Sequence, residues 1–228
     1  MKPSTAVALV FLLAACEKAP PPPCTPAPPS PAILKPDAAK ISALGPDSFS
    51  VHVVTSRGPF DFIVRRAWSP TGTDRLYYLV SNNFYDGLRF YRVIDGFMAQ
   101  FGAPGDTTVA RVWRDLRISD DPVTQGNTRG RLTFATAGPN TRTTQLFINF
   151  GNNSQLDRMG FAPIGEVSNG MNVVDSLYSG YGDGGESGGK GPSQEKLALQ
   201  GNAYLVRDYP KLDCIVSARV SQEWKKDK

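Results

Sequence analysis

Arg92 is the residue best placed to do chemistry in this chain of 228 residues, because of what surrounds it in sequence. The run Phe90–Gly102 (FYRVIDGFMAQFG) sets its guanidinium beside Phe97, Met98 and Gln100. A second run, Phe134–Phe150 (FATAGPNTRTTQLFINF), places Gln145 and Phe147 after a Gly138-Pro139-Asn140 turn. Large apolar side chains beside one or two polar donors, on strand-like segments, describe a shallow apolar pocket with a cationic donor on its wall. Other chemistries are excluded by count. His52 is the only histidine and is far in sequence from any nucleophile, so serine or cysteine hydrolysis lacks a base. The cysteines, Cys16, Cys24 and Cys214, have no metal-ligand spacing, and no zinc site is expected. Asp120, Asp121 and Asp183 read as solvated loop carboxylates. Gly184 to Lys190 nearly spells a phosphate-binding loop, but Gly191 stands where Ser or Thr is required and the segment follows a helix. The run from Gly180 to Gly191 is instead expected to be a mobile surface loop.

The elements that must carry these residues are short. Phe49, Val51 and Val53 alternate with Ser50 and His52, the period of a half-buried strand. After Ser56-Arg57-Gly58 the alternation resumes at Phe60, Phe62 and Val64, which reads as a hairpin. Ser69-Pro70 marks a helix start, with Leu76, Leu79, Val80 and Phe84 at helical spacing and Asn82-Asn83 as the stop. Strands are expected around Phe90–Ile94, Arg131–Phe134, Gln145–Asn149 and Ile215–Val220, and a short helix over Met171–Tyr178. With 22 glycines and 19 prolines, many short strands and two helices predict a mainly β fold, a closed barrel capped at its ends.

The motifs resemble the cyclophilin family of peptidyl-prolyl cis-trans isomerases. The match runs through Phe90, Arg92, Gly96, Phe97, Met98, Gln100 and Gly102, then Ala135, Ala137 to Pro139, Gln145 and Phe147. It continues from Leu156-Asp157 through Gly165, Val167 and Gly170-Met171, and so spans roughly residues 49–178. The resemblance implies an eight-stranded antiparallel β-barrel with two capping helices. It also implies rotation about X-Pro bonds in proline-containing polypeptides, without metal, nucleotide or organic cofactor. Arg92 is then the donor to the prolyl nitrogen. Phe97, Met98, Phe147 and Leu156 grip the proline ring, Gln100 holds the substrate carbonyl, and Gln145 supports the peptide backbone. Ala135 and Ala137 flank Thr136, which stands where the family usually has Asn, and Phe161 is the best match to the family's late pocket His. Tyr91 replaces the usual His beside the catalytic Arg, and Gln155 stands where many eukaryotic members have Trp, against tight cyclosporin binding. Ala103-Pro104 interrupts the usual Gly-Gly-Asp.

The chemistry suits this residue set. The amide barrier of about 18–20 kcal/mol comes from nitrogen lone-pair resonance. A guanidinium can donate to the nitrogen as it pyramidalises, without being deprotonated. Lowering the barrier by about 7 kcal/mol would accelerate rotation on the order of 10⁵-fold. The alternative is a chaperone or scaffold module that holds proline peptides with little catalysis.

The N-terminus reads as a separate region. Lys2 precedes an apolar run from Ala6 to Ala15, too short to span a bilayer, and Leu13-Ala14-Ala15-Cys16 resembles a bacterial lipobox. Residues 1–15 are expected to be a signal peptide, with Cys16 the lipidated mature N-terminus. Glu17 at the next position favours the outer membrane, facing the periplasm. Residues 16–46 read as a Pro-rich tether, 47–222 as the isomerase domain and 223–228 as a charged tail. An export compartment permits a Cys24–Cys214 disulfide; two free thiols, with Cys214 partly buried, are the other reading. The net charge of +4 comes from scattered residues, so nucleic-acid binding is not expected. A monomer is expected.

Overall fold

The computed structural model describes residues 24–25 and 28–225, so Cys16 and the apolar leader lie outside the described residues. Strands β1 (Ser48–Thr55) and β2 (Gly58–Arg65) form the expected hairpin, with Phe49, Val51 and Val53 facing Val64, Phe62 and Phe60 across it. All six side chains are buried, because the two-residue period puts every second residue of each strand on the same face.

Six more strands complete one antiparallel sheet: β3 (Arg92–Ile94), β4 (Met98–Phe101), β5 (Arg131–Phe134), β6 (Leu146–Asn149), β7 (Pro163–Asn169) and β8 (Ile215–Trp224). Their order is β3-β4-β6-β5-β7-β2-β1-β8. The eight strands are as expected, but the barrel is not closed by a continuous ladder. Its two ends, β3 and β8, share no ladder; the residues leading into them pair through the isolated bridge Arg89–Cys214 and through backbone bonds from Phe90 N–H to the Asp213 carbonyl at 3.0 Å and from Ile215 N–H to the Leu88 carbonyl at 2.8 Å. Beside β3, Val93 bridges to Gly182.

Helix α3 (Pro70–Ser81) closes one end, burying Leu76, Leu79 and Val80. Its start departs from expectation in one respect. The Ser69 hydroxyl caps no helix amide and donates to Asp121, whose carboxylate accepts from the Thr71 and Gly72 amides at 3.0 and 2.9 Å. Asp121 is therefore buried and paired, not a solvated charge. The second expected helix is shorter than predicted, α5 (Met171–Asp175). Two others were not legible: α4 (Thr107–Trp113), and α6 (Gln194–Asp208), which kinks at Gly201, where φ is 60°.

The Pro-rich segment is partly folded. It forms the short helices α1 (Pro31–Leu34) and α2 (Ala38–Ile41). Ile33 is buried in the main core, its carbonyl accepting the Trp113 indole N–H at 2.9 Å, and Tyr78 Oη donates to the Ala32 carbonyl at 2.9 Å. Cys24 and the fully buried Cys214 form a disulfide across a separation of 190 residues. Closing so long a loop restricts the unfolded chain, and reduction is expected to lower stability by about 2–5 kcal/mol. Guanidinium titration with and without reductant measures this. A change below about 1 kcal/mol would mean that packing alone secures the strap.

Candidate active site

The cross-strand pairing of short antiparallel strands assembles the site. Arg92 on β3 faces Gln100 on β4, and Gln100 in turn faces Phe147 on β6. Directly opposed residues share a face of the sheet, so these three side chains point into one cavity. That cavity, about 280 Å³, is lined by all eleven of the expected pocket residues and by Thr141, Thr143 and Gln194.

Its floor is apolar. Met98, Phe147 and Leu156 are buried against each other, with Phe97, Ala135 and Phe161 packed on them. Phe161 meets Phe147 edge to face at 5.8 Å between ring centroids, a favoured aromatic geometry. Leu156 is carried by a 3₁₀ turn, Ser154–Met159, which ends at Gly160 in the left-handed region (φ 87°). Gln155 on the same turn is exposed and does not line the cavity. One rim is the turn containing Thr136 and Ala137, drawn tight by hydroxyl contact between Thr136 and Thr141 at 2.7 Å. The Ala137 amide donates to the Thr141 hydroxyl at 2.9 Å.

Behind the floor lies a polar network that sequence reasoning missed. Asn127, Thr133, Asn149 and Asn153 are all buried. Asn153 Nδ2 donates to the Phe97 carbonyl and Asn127 Nδ2 to the Phe161 carbonyl, each at 2.8 Å. Both pocket aromatics are thereby fixed through their backbones. Four polar residues scattered over 27 positions carry no local signature, since their common feature is a shared interior and not a spacing.

The polar wall is a chain of hydrogen bonds. Arg92 Nη1 donates to Gln100 Oε1 at 3.1 Å, and Gln100 Nε2 to Gln145 Oε1 at 3.1 Å. Tyr91 Oη donates to the same Gln145 oxygen at 2.5 Å. Tyr91 is buried under Leu197, Tyr204 and Leu205 of α6, and that burial pushes its phenol well above the ordinary range. It is a fixed neutral donor, not an acid-base group. Tyr91→Phe removes the bond and leaves the ring. The loss of one such donor is worth about 0.5–1.5 kcal/mol, a two- to tenfold fall in kcat/KM with little change in stability. Steady-state turnover of an X-Pro peptide would show it, and an unchanged rate would remove Tyr91 from the support of Gln145.

On its other edge Arg92 meets Asp183, with Nε 2.5 Å from Oδ1 and Nη2 3.1 Å from Oδ2. Asp183 is thus no solvated carboxylate, and the Arg92 guanidinium holds its carboxyl below the usual carboxylate range. Arg92 still lines the cavity, and its side chain is 23 % exposed. Among the described residues no cluster of three or more His, Cys, Asp or Glu is arranged to hold a metal ion.

Residues 50–196 match the family described as Cyclophilin type peptidyl-prolyl cis-trans isomerase/CLD. The chain belongs to the cyclophilin family of peptidyl-prolyl cis-trans isomerases. An Acinetobacter baylyi peptidyl-prolyl cis-trans isomerase is 33% identical over 143 residues, 60% of this chain and 76% of the relative. Human peptidyl-prolyl cis-trans isomerase-like 3 is 31% identical over 131 residues, 56% and 81% of the two chains. Among solved structures, a Cryptosporidium parvum cyclophilin type isomerase superposes with a TM-score of 0.57 at 19% identity, covering 77% of this chain and 99% of that one. The same protein in the presence of the dipeptide Ala-Pro gives 0.56 at 20% identity. The family match ends inside α6, and this cyclophilin's cover over Tyr91 continues beyond it.

Proposed function

We propose that this cyclophilin isomerises X-Pro bonds in exported polypeptides, using Arg92 as the donor to the prolyl nitrogen. The observation that carries the site assignment is the placement of the guanidinium on the wall of an apolar cavity, one hydrogen bond from Gln100. A proline ring seated on Phe97, Met98, Phe147, Leu156 and Phe161 would bring its nitrogen toward Arg92. As the amide twists, its resonance is lost and the nitrogen becomes an acceptor. A bond to it then forms in the transition state and not in the planar ground states, which is the condition for catalysis. Gln100 and Gln145 would hold the carbonyl and backbone that must stay fixed while the other half rotates. No proton is transferred, consistent with the neutral Tyr91.

Residues 1–15 would direct export and Cys16 would carry the lipid, with the Pro-rich segment leading from an outer-membrane anchor to a monomeric periplasmic domain. The Cys24–Cys214 disulfide supports this reading, since disulfides persist in oxidising compartments. Among the described residues no helix is long and apolar enough to cross a membrane.

Two measurements test the proposal. Exchange NMR on an Ala-Pro-containing peptide should show cis-trans cross-peaks at substoichiometric protein, against an uncatalysed exchange of tens to hundreds of seconds; their absence would overturn the catalytic reading. Mass spectrometry of the mature protein from its host should find acyl chains on Cys16, and an unmodified N-terminus would remove the anchor.

A further inference from the structure

We propose that Asp183 is a positioning residue that fixes the edge Arg92 presents to substrate. The inference rests on the assignment of Arg92 as the donor. A guanidinium has five N–H groups in a rigid fork. Asp183 accepts from Nε and one from Nη2, and Gln100 accepts one from Nη1, which leaves one N–H on each Nη for a ligand. The side chain is thus held on two sides, from β4 and from the segment beyond α5, and its remaining donors have a defined direction. Holding a donor in place before reaction removes the reorganisation that a free arginine on a long flexible stem would need.

The glycine-rich segment is built around this carboxylate. Val93 bridges to Gly182, which sets Asp183 alongside β3. The Gly184 amide donates to Asp183 Oδ1 and the Gly191 amide to the Asp183 carbonyl, both at 2.7 Å. A Cβ at Gly191 would lie 2.7 Å from that carbonyl oxygen, and one at Gly189 closer still. Those two positions therefore need glycine so that the chain can wrap the Asp183 backbone, which accounts for part of a composition that resembles a phosphate loop. Because Arg92 keeps Asp183 ionised, the pair is intact at neutral pH. The same segment runs on to Gln194, a cavity residue, and to the α6 cover on Tyr91.

The carboxylate also withdraws some of the charge that Arg92 could offer, so the alternative is a brake. Turnover distinguishes the two. Asp183→Asn is expected to lower kcat on the order of tenfold with KM within about twofold, as a misdirected donor would. In an Arg92→Ala background the same substitution should change nothing further, because the two act as one unit. The Arg92 Nε–H resonance should shift upfield and exchange faster in Asp183→Asn. An equal fall in both backgrounds would make the role merely structural and overturn the proposal; so would a rise in kcat, or an unchanged kcat while Arg92→Ala is inactive. An active Arg92→Ala would instead sink the donor assignment itself, and the positioning role with it. Should the Asn variant fail to fold, Asp183→Glu keeps the charge but moves it by a methylene. A severalfold loss of kcat supports positioning, and wild-type kcat overturns it.

Discussion

Arg92→Ala is expected to lower kcat/KM for a proline-limited peptide by about 10²–10³, the cost of removing one preorganised donor to a transition state, about 2.7–4 kcal/mol. The fold should survive. Arg92 lies on a three-residue strand whose neighbour Val93 carries the burial, and its own side chain is 23 % exposed. Its loss leaves Asp183 unpaired, but that carboxylate's side chain is 30 % exposed and water can replace the partner. The loss should lie mainly in kcat, because the apolar floor that binds the proline ring is untouched. Arg92→Lys should recover little. An ammonium is a compact charge without the planar fork, so it cannot satisfy Asp183 and Gln100 and still present a directed donor. Turnover within threefold of wild type, in protein with unchanged near-ultraviolet circular dichroism, would exclude Arg92 from the mechanism.

What the sequence disclosed and what it hid divide along a physical line. The pocket was legible because its residues sit on adjacent antiparallel strands, where a two-residue period and cross-strand pairing convert local spacing into proximity. Arg92, Gln100 and Phe147 meet for that reason. The β1–β2 hairpin and the body of α3 were legible on the same grounds, from alternation and from Pro70 at a helix start. Long-range pairings were not. Asp183 is 91 residues from Arg92, and Asp121 reaches back 52 residues to Ser69. An aspartate in a polar loop carries no mark of whether water or an arginine will face it. α6 was equally hidden, since its apolar residues answer to Tyr91 and not to the main core. The closed barrel failed as an expectation because closure depends on the seam between β3 and β8. There the two strands share no ladder and Val93 bridges to Gly182, a pairing that no strand alternation reports.

Asp121 carries the largest stability effect expected outside the disulfide. It accepts from Thr71 and Gly72 at the start of α3, from the Ser69 hydroxyl, and from Arg142 Nη2 at 3.0 Å. The side chain of Arg142 is only 3 % exposed, and its Nε lies 3.3 Å from Asp120 without hydrogen-bond geometry. Asp121→Ala therefore leaves a buried guanidinium without its main charge partner and strips the helix start of its acceptor. Breaking a buried pair in this way costs about 3–5 kcal/mol. The urea midpoint should fall by about 1–2 M. Asp121→Asn, which keeps an acceptor but not the charge, should fall between. Burial by itself would raise the Asp121 carboxyl, yet the Ser69 hydroxyl, the Gly72 and Thr71 amides and Arg142 together bring it below its ordinary 3.8. A carboxyl depressed in the folded state stabilises above its unfolded value, and that contribution is lost as pH falls through the folded one. The wild type should thus lose stability below about pH 4, more steeply than Asp121→Ala. An Asp121→Ala unfolding free energy within about 1 kcal/mol of wild type, or the same acid slope in both, would show that α3 is held by its packed face and not by this carboxylate.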